Sequence, residues 1–231
     1  MAYDPTDFQL ILSFAAIHTT TDLVCQTMVQ LAADPKNIEA LREEMLEVLP
    51  AGGWKKASIA RLKLLDSAIK EAQRLKPIIM LNMVRKATAD VKLKDGVIVP
   101  KGEVVVVDSG NVYNPELYEN PHKYNMYRFA DMRKQPGAEN KAQLVSTAPE
   151  HLPFGYGKYA CPGRFFAANE VKMALCHMLL KYDWELAPGT SLEPMWFGTD
   201  PYVDPQAKLL CRRRREEIDL DKLGADDKAE E

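Results

Sequence analysis

The chain has 231 residues, of which 46% are hydrophobic, and its formal net charge is -3. This length is enough for one sizeable core or two small ones, and the composition is typical of a globular protein. The acidic balance argues against broad nucleic-acid binding, in spite of four consecutive arginines at residues 212–215. The four cysteines lie far apart without a Cys-x-x-Cys pair, which argues against a zinc or disulfide framework and favours a reducing compartment.

We expect no signal peptide at the start of the chain. The longest apolar run, residues 10–17, is interrupted by Ser13 and is too short to span a bilayer. By its own sequence we therefore expect the chain to be soluble or peripheral to a membrane.

A long helix is predicted over residues 7–31. Apolar residues recur there at helical spacing, which indicates that the helix is mostly buried. Residues 19–21 are three threonines, and successive β-branched residues are poor helix formers. The Thr19 hydroxyl is expected to donate a hydrogen bond to the carbonyl of Ala15 one turn back, a contact that bends helices.

A histidine directly precedes these threonines. His18 can relay protons near neutral pH, and Asp22 lies one turn further on, where it is expected to orient the imidazole. A polar side chain satisfied in a helix groove is an equally good interpretation of His18. The residues alone leave both interpretations open.

Two further helices are predicted before residue 77. Asp34 and Pro35 have the form of an N-cap followed by the first helical residue. The apolar stripe after them consists of Ile38, Leu41, Met45 and Val48. A second amphipathic helix is predicted over residues 59–75. Within it Glu71 and Arg74 stand three residues apart, so they are neighbours on one helix face, at the edge of the apolar stripe.

Short β-type runs are predicted in the middle and near the end of the chain. Four of them are separated by glycine and proline turns and are expected to form a small sheet. They cover residues 78–83, 91–93, 97–99 and 104–107. Arg85 follows the first run. Residues 108–153 lack periodicity, which is typical of a functional or disordered loop region. Strands and turns are expected over residues 183–210, where three apolar side chains are candidates for core packing or for lining a pocket: Met195, Trp196 and Phe197.

Residues 154–163 form a glycine-rich loop, Phe-Gly-Tyr-Gly-Lys-Tyr-Ala-Cys-Pro-Gly, ahead of an apolar helical pattern. Cys161 therefore lies near a helix N-terminus, where unpaired N–H groups and the helix dipole favour a thiolate, the form that ligates metals. Gly155 and Gly157 have no Cβ, so the backbone can adopt left-handed dihedrals and pass close to a flat cofactor. Phe154 places an aromatic ring beside the sulfur. By composition alone, a buried cysteine beside a turn is the more ordinary interpretation.

The spacing within this loop resembles the haem-binding signature of the cytochrome P450 family, Phe-x-x-Gly-x-x-x-Cys-x-Gly, at each of its four fixed positions. The resemblance implies that Cys161 is the axial thiolate ligand of haem iron. Tyr159 stands where the family usually has an arginine or histidine that faces a haem propionate. The other cofactor-binding residues that the resemblance implies are Phe154, Gly155, Gly157 and Arg85, the last as the partner of a propionate.

Residues 15–20 resemble the threonine segment of the family's long central helix. Thr19 corresponds to the threonine that helps to deliver protons during oxygen activation, so the resemblance makes it a catalytic residue. Ala16 replaces the usual glycine, and His18 replaces the usual acid, which leaves His18 as the second candidate for the proton route.

A further match is the family's Glu-x-x-Arg motif, here Glu71 and Arg74. Arg128 falls where the family's third locking arginine belongs, and we expect it to contact Glu71. The resemblance gives these three residues a structural role around the cofactor. Ile17, Ile78, Met80 and Trp196 are expected to shape a lipophilic pocket.

The resemblance implies a mainly α fold with small β-sheets (α+β), the C-terminal part of the cytochrome P450 fold, over residues 1–215. Residues 216–231 are expected to be a charged, disordered tail. Because family members are longer, we expect this chain to be a carboxyl-terminal half that lacks the N-terminal membrane anchor. Localisation at the cytosolic face of the endoplasmic reticulum would depend on that anchor, and the cytoplasm is the alternative.

The function implied by the resemblance is that of a haem-thiolate monooxygenase, which inserts one oxygen atom of O2 into a lipophilic substrate. The residues of these motifs are most similar to those of fungal members, many of which oxidise terpenoids, alkaloids or polyketides in secondary metabolism. Its partners would be NADPH–cytochrome P450 reductase and a small lipophilic substrate, not a nucleic acid. Two alternatives stay open: a truncated, non-catalytic fragment that binds haem poorly or not at all, and a haem-thiolate isomerase or dehydratase that needs no reductase.

Overall fold

The computed structural model describes residues 4–223, which fold into α-helices and small antiparallel sheets. The helices are α1 (Pro5–Ala32), α2 (Pro35–Gly52), α3 (Lys56–Arg61), α4 (Lys63–Leu75), α5 (Arg128–Met132) and α6 (Arg164–Lys181). The strands are β1 (Leu81–Lys86), β2 (Val91–Lys92), β3 (Ile98–Val99), β4 (Val104–Asp108), β5 (Tyr182–Leu186), β6 (Met195–Phe197), β7 (Asp200–Tyr202) and β8 (Leu209–Arg213). The predicted class, mainly α with small β-sheets, is confirmed.

The start of α2 follows the predicted cap. The Asp34 carboxylate accepts a hydrogen bond from the N–H of Lys36 at 3.1 Å, and Pro35 lies in the first turn, where its missing N–H is not needed. The four residues predicted to form the apolar stripe of this helix are buried.

The single helix predicted over residues 59–75 is two helices, α3 and α4, which break at Leu62. Glu44 of α2 accepts hydrogen bonds from the N–H groups of Leu64 and Leu65, at 2.6 and 2.9 Å. N–H groups in the first turn of a helix have no partner within the helix, so this carboxylate takes the place of an N-cap side chain. The prediction of one continuous helix is wrong because the cap comes from another helix.

The main core lies where the C-terminal half of α1 meets α2, α4 and α6. Its fully buried side chains include Leu31, Leu41, Met45, Leu65, Ile69 and Leu175. Burying one such side chain contributes about 1.5–3 kcal/mol. This core therefore fixes the relative positions of the helices that carry the candidate site.

The N-terminal half of α1 is exposed, so the prediction that this helix is mostly buried is wrong for that half. Five of its large apolar side chains face solvent: Leu10, Ile11, Leu12, Phe14 and Ile17. Helical periodicity identifies an apolar face but not the element that covers it, and no element within residues 4–223 covers this one.

By length and composition alone, α1 is long and apolar enough to cross a membrane. The expectation that no segment could do so relied on one uninterrupted apolar run and was too strict for a helix of 28 residues. Core helices of soluble proteins pass the same test. The C-terminal half of α1 is of that kind, since Leu23, Met28 and Leu31 are part of the main core.

The sheets are antiparallel pairs, β1–β4, β2–β3, β5–β8 and β6–β7. The small sheet expected from the middle of the chain is therefore two separate pairs. Within β1 the register to β4 shifts between Asn82 and Arg85, and Met83 in this bulge has a left-handed φ of 55°. A bulge bends a strand and changes the direction of its side chains.

The described part of the predicted tail, residues 216–223, packs on the core. Leu220 is 1% exposed, and its carbonyl accepts a hydrogen bond from Trp54 Nε1 at 3.0 Å. The prediction of a disordered tail is wrong for these residues, because Ile218, Leu220 and Leu223 are interspersed among the charges and contact the core. The remaining residues of that prediction, 224–231, lie outside the described residues.

Candidate functional site

The glycine-rich loop closes on itself ahead of α6. The N–H of Cys161 donates a hydrogen bond to the carbonyl of Phe154 at 2.8 Å. Gly155 and Gly157 both have a φ of 67°, in the left-handed region that favours glycine. A Cβ on Gly155 would lie 3.4 Å from the carbonyl oxygen of Tyr159. The left-handed dihedrals predicted for these two glycines are confirmed.

Cys161 lies between this loop and the first residue of α6, Arg164. Cys161 is a partly exposed residue and forms no disulfide. Arg164 Nη1 donates to the Cys161 carbonyl at 2.8 Å, which fixes the backbone at the start of the helix. Phe154, at the other end of the loop, packs against the main core. The arrangement presents one accessible thiol at a helix N-terminus, a position that stabilises negative charge.

Arg85 of β1 lies against the cysteine loop. Its guanidinium carbon is 4.3 Å from the centroid of the Tyr159 ring. Its Nη1 donates to the carbonyl of Val84 at 2.7 Å. The structure therefore brings Arg85 to the Cys161 loop, although the two lie far apart in sequence.

Glu71, Arg74 and Arg128 form one buried network. Glu71 accepts hydrogen bonds from Nε and Nη2 of Arg74, each at 2.8 Å, and from Arg128 Nε at 3.0 Å. The contact predicted between Arg128 and Glu71 is therefore present. The Glu71 and Arg74 side chains are fully buried, because α4 is covered on all sides and not only along its apolar stripe. Arg128 also donates to the carbonyl of Glu119 at 2.7 Å, which ties α4 to the long loop region.

Thr19 and His18 line a cavity of about 860 Å³ between α1 and the segment that runs from β7 to the start of β8. The Thr19 hydroxyl donates to the Ala15 carbonyl at 2.8 Å, the bond expected from the sequence. Other residues on the cavity wall are mostly apolar and include Val24, Met28, Ile78, Ile79 and Leu209. Within residues 4–223 the lining does not include the Cys161 loop, so the structure does not join Thr19 and Cys161 in one cavity.

The prediction that Asp22 orients His18 is wrong. Asp22 Oδ2 pairs with Lys76 Nζ at 2.6 Å and so connects α1 to the end of α4. His18 instead packs edge-on against Phe14, with ring centroids 4.9 Å apart. Lys76 is buried, and a buried ammonium needs a charged partner, which explains why it engages the carboxylate.

The four residues predicted to shape a lipophilic pocket do not lie together. Ile17 and Ile78 line the cavity beside Thr19, whereas Met80 does not, and Trp196 lines a second cleft of about 570 Å³. The three apolar residues of β6 are exposed, so core packing is the wrong interpretation for them. They belong to a two-stranded hairpin whose apolar side no described element covers.

Comparison with known proteins identifies the family. A family model described as cytochrome P450 matches residues 8–208. The chain belongs to the cytochrome P450 family. It is 52% identical over 218 residues to cytochrome P450 monooxygenase 1 of Gibberella fujikuroi, and 50% identical over 213 residues to cytochrome P450 monooxygenase hepE of Aspergillus oryzae. A cyanobacterial P450 with bound retinoic acid, CYP120A1, superimposes with a TM-score of 0.71 at 26% sequence identity.

These P450 relatives are considerably longer than this chain. The matches cover 94% and 92% of the chain but only 50% and 39% of the two fungal relatives. The match to CYP120A1 covers 89% of the chain and 45% of that structure. The chain therefore has part of the P450 fold, and it spans half or less of the length of these relatives.

The residues around Cys161 are suited to haem, the cofactor of the P450 family. The donor set offers a single accessible thiol rather than a cluster of ligands, as an axial haem ligand requires. Arg85, beside the same loop, offers a guanidinium for the carboxylates of the macrocycle. The two left-handed glycines carry no side chain, so the loop backbone is open to close approach by a flat ring.

Two residues beside the candidate site were not found from the sequence. Met83 adopts a left-handed φ of 55°, and no sequence signal indicates this for a methionine. Lys76 is buried beside the Thr19 helix, although a lysine ahead of a proline is typical of an exposed helix end. Both depend on contacts between distant segments.

Proposed function

We propose that this chain is the haem-thiolate part of a monooxygenase, with Cys161 as the axial ligand of iron. The observation that carries the proposal is the partly exposed, unpaired Cys161 just ahead of α6, in a loop that a hydrogen bond closes. The proposed reaction inserts one oxygen atom of O2 into a lipophilic substrate. When bound through a thiolate, haem supplies the oxygen activation, because donation from sulfur favours O–O cleavage.

The residues of the cysteine loop bind and orient the cofactor. The N-terminus of α6 stabilises negative charge on the Cys161 sulfur. Arg85 neutralises a carboxylate of the macrocycle through its N–H groups. Gly155 and Gly157 let the backbone approach the ring, and Phe154 anchors the loop to the core.

Thr19 and His18 hold and pass protons on the side of the 860 Å³ cavity. The Thr19 hydroxyl donates its proton to a carbonyl, so its oxygen keeps lone pairs that can accept a hydrogen bond from a proton donor. His18 stands in place of an acid, and its imidazole can accept a proton at one ring nitrogen and donate one from the other. Neither role requires the Asp22 carboxylate, which Lys76 engages.

Glu71, Arg74 and Arg128 have a structural role in this proposal. Their hydrogen bonds attach the long loop region, which leads into the cysteine loop, to α4. They hold the Cys161 loop in place without contacting the reacting atoms.

We further propose a terpenoid, alkaloid or polyketide substrate of fungal secondary metabolism. The similarity to fungal cytochrome P450 monooxygenases supports this class. Electrons would come from NADPH through NADPH–cytochrome P450 reductase. The proposed location is the cytosolic face of the endoplasmic reticulum, which the membership of the cytochrome P450 family supports.

The proposal is tested by loading the chain with haem, reducing it, adding carbon monoxide and recording the Soret band. The native chain should give the strongly red-shifted band of a haem thiolate. Cys161→Ser should lose this band while its circular dichroism stays unchanged. Cys211→Ser is the matched control, because Cys211 is an exposed cysteine on β8, and it should retain the band.

Three outcomes would contradict the proposal in different ways. A thiolate-type band in Cys161→Ser would overturn the axial assignment. No haem uptake by the native chain would favour a non-catalytic fragment. Turnover of a hydroperoxide without NADPH or reductase would favour an isomerase or dehydratase, which the exposed His18 in place of an acid keeps open.

A further inference from the structure

The ring of Tyr159, which lies outside the core, has two cationic side chains close to it. The residue is 66% exposed. The guanidinium carbon of Arg85 lies 4.3 Å from the ring centroid, and Lys158 Nζ lies 5.6 Å from it. Both distances are within the range of cation–π attraction, which is about 6 Å. The ring therefore serves as a docking face for cations, with Arg85 the nearer of the two.

The bulge in β1 brings Arg85 to this ring. The register of β1 against β4 shifts between Asn82 and Arg85, and Met83 within the shift has a φ of 55°. A residue other than glycine in this region stores strain, and such strain is concentrated at functional sites. A Cβ on Gly155 would lie 3.7 Å from Met83 Sδ, so the bulge also lies against the cysteine loop.

The contact with Tyr159 leaves most of the Arg85 guanidinium available. One donor, Nη1, bonds to the carbonyl of Val84. No carboxylate within residues 4–223 forms an ion pair with Arg85 at 4.0 Å or less. An arginine stacked on an aromatic face keeps its in-plane N–H groups free to bind a carboxylate with two parallel hydrogen bonds.

We propose that Tyr159 is a positioning residue, which holds the guanidinium of Arg85 so that its free N–H edge binds a carboxylate of the haem. Tyr159 acts through Arg85 and touches neither the iron nor the substrate. This inference rests on the proposed function, since the carboxylate belongs to haem. It assigns to an uncharged ring the task of orienting one cation beside the cysteine loop.

The inference is tested by the rate at which haem leaves the loaded chain for an excess of a haem-scavenging apoprotein. Tyr159→Leu should accelerate this loss about two- to fivefold, the range expected for one exposed cation–π contact. Tyr159→Phe keeps the ring and should stay within about twofold of the native rate. Arg85→Met should accelerate the loss about tenfold or more, because a charged hydrogen bond is removed.

The double variant separates positioning from a direct role. If Tyr159 acts through Arg85, Tyr159→Leu should have no further effect in the Arg85→Met background. Equal effects of Tyr159→Leu in both backgrounds would overturn the inference. So would a native rate in Tyr159→Leu, or a loss in Tyr159→Phe as large as in Tyr159→Leu.

A second measurement needs no haem. In the unloaded chain, the side-chain protons of Arg85 should show an upfield ring-current shift by NMR, kept in Tyr159→Phe and lost in Tyr159→Leu. If the native chain takes up no haem, the proposed function fails and this inference fails with it. If haem binds but Tyr159→Leu changes neither the rate nor the shift, the inference alone fails.

Discussion

Removing the Glu71 carboxylate should destabilise the chain strongly. Glu71 accepts hydrogen bonds from Arg74, from Arg128 and from the N–H of Asn125, and its side chain is fully buried. Glu71→Ala leaves the buried Arg74 without an anionic partner, and breaking a buried ion pair costs about 3–5 kcal/mol. That loss is a large part of the roughly 5–15 kcal/mol that stabilises a typical domain. At about 2–4 °C per kcal/mol for a chain of this size, Tm should fall by about 6–20 °C.

The assay is urea and thermal unfolding followed by circular dichroism. Glu71→Gln keeps the shape of the side chain and should give an intermediate loss. Asp131→Ala is the matched control, because it breaks an exposed ion pair with Lys134, 2.7 Å long, and should change stability by less than about 1 kcal/mol. A loss below about 1 kcal/mol in Glu71→Ala would refute the argument that the buried network holds the loop region to α4.

Three further predictions concern buried groups. Burial, together with the cations Lys70 and Arg74, holds the pKa of His151 well below its usual range. As the pH falls, His151 therefore gains its proton in the unfolded chain before it does in the folded chain. The free energy of unfolding is at its full value above about pH 6.5 and decreases as the pH falls below it. In the native chain the free energy of unfolding should be lower at about pH 5 than at about pH 7, and His151 should account for up to about 2 kcal/mol of this difference. His151→Phe should remove that part, and a variant with the same difference as the native chain would contradict this. Leu220→Ala should lower the unfolding free energy by about 2–4 kcal/mol, whereas an unchanged urea midpoint would mean that this segment does not pack. Burial raises the pKa of Cys176 to about 12, so brief alkylation read by mass spectrometry should spare it and label the exposed cysteines; equal labelling would contradict its burial.

Features that depend on neighbouring residues were predictable from the sequence. The Asp34 cap, the Thr19 hydrogen bond to Ala15 and the left-handed Gly155 and Gly157 each follow from a few residues in a row. The contact between Arg128 and Glu71 spans 57 residues, and only the family resemblance predicted it.

Features that depend on contacts between segments were not predictable. The break at Leu62 arises because Glu44 caps α4 from another helix. Asp22 does not contact His18 because it forms an ion pair with the buried Lys76. The N-terminal half of α1 and the hairpin strand β6 have apolar faces that no described element covers. A hydrophobic pattern indicates which face is apolar, but not whether the chain supplies its partner. Conversely, the charged residues around Leu220 led to the prediction of a disordered tail, although this segment packs on the core.

The central claim is that Cys161 binds the haem iron, and X-ray absorption at the iron edge of the loaded chain tests it most directly. The account predicts one sulfur atom among the iron ligands of the native chain and of Cys211→Ser, and none in Cys161→Ser. An iron centre without sulfur in the native chain, or with sulfur retained in Cys161→Ser, would contradict the account.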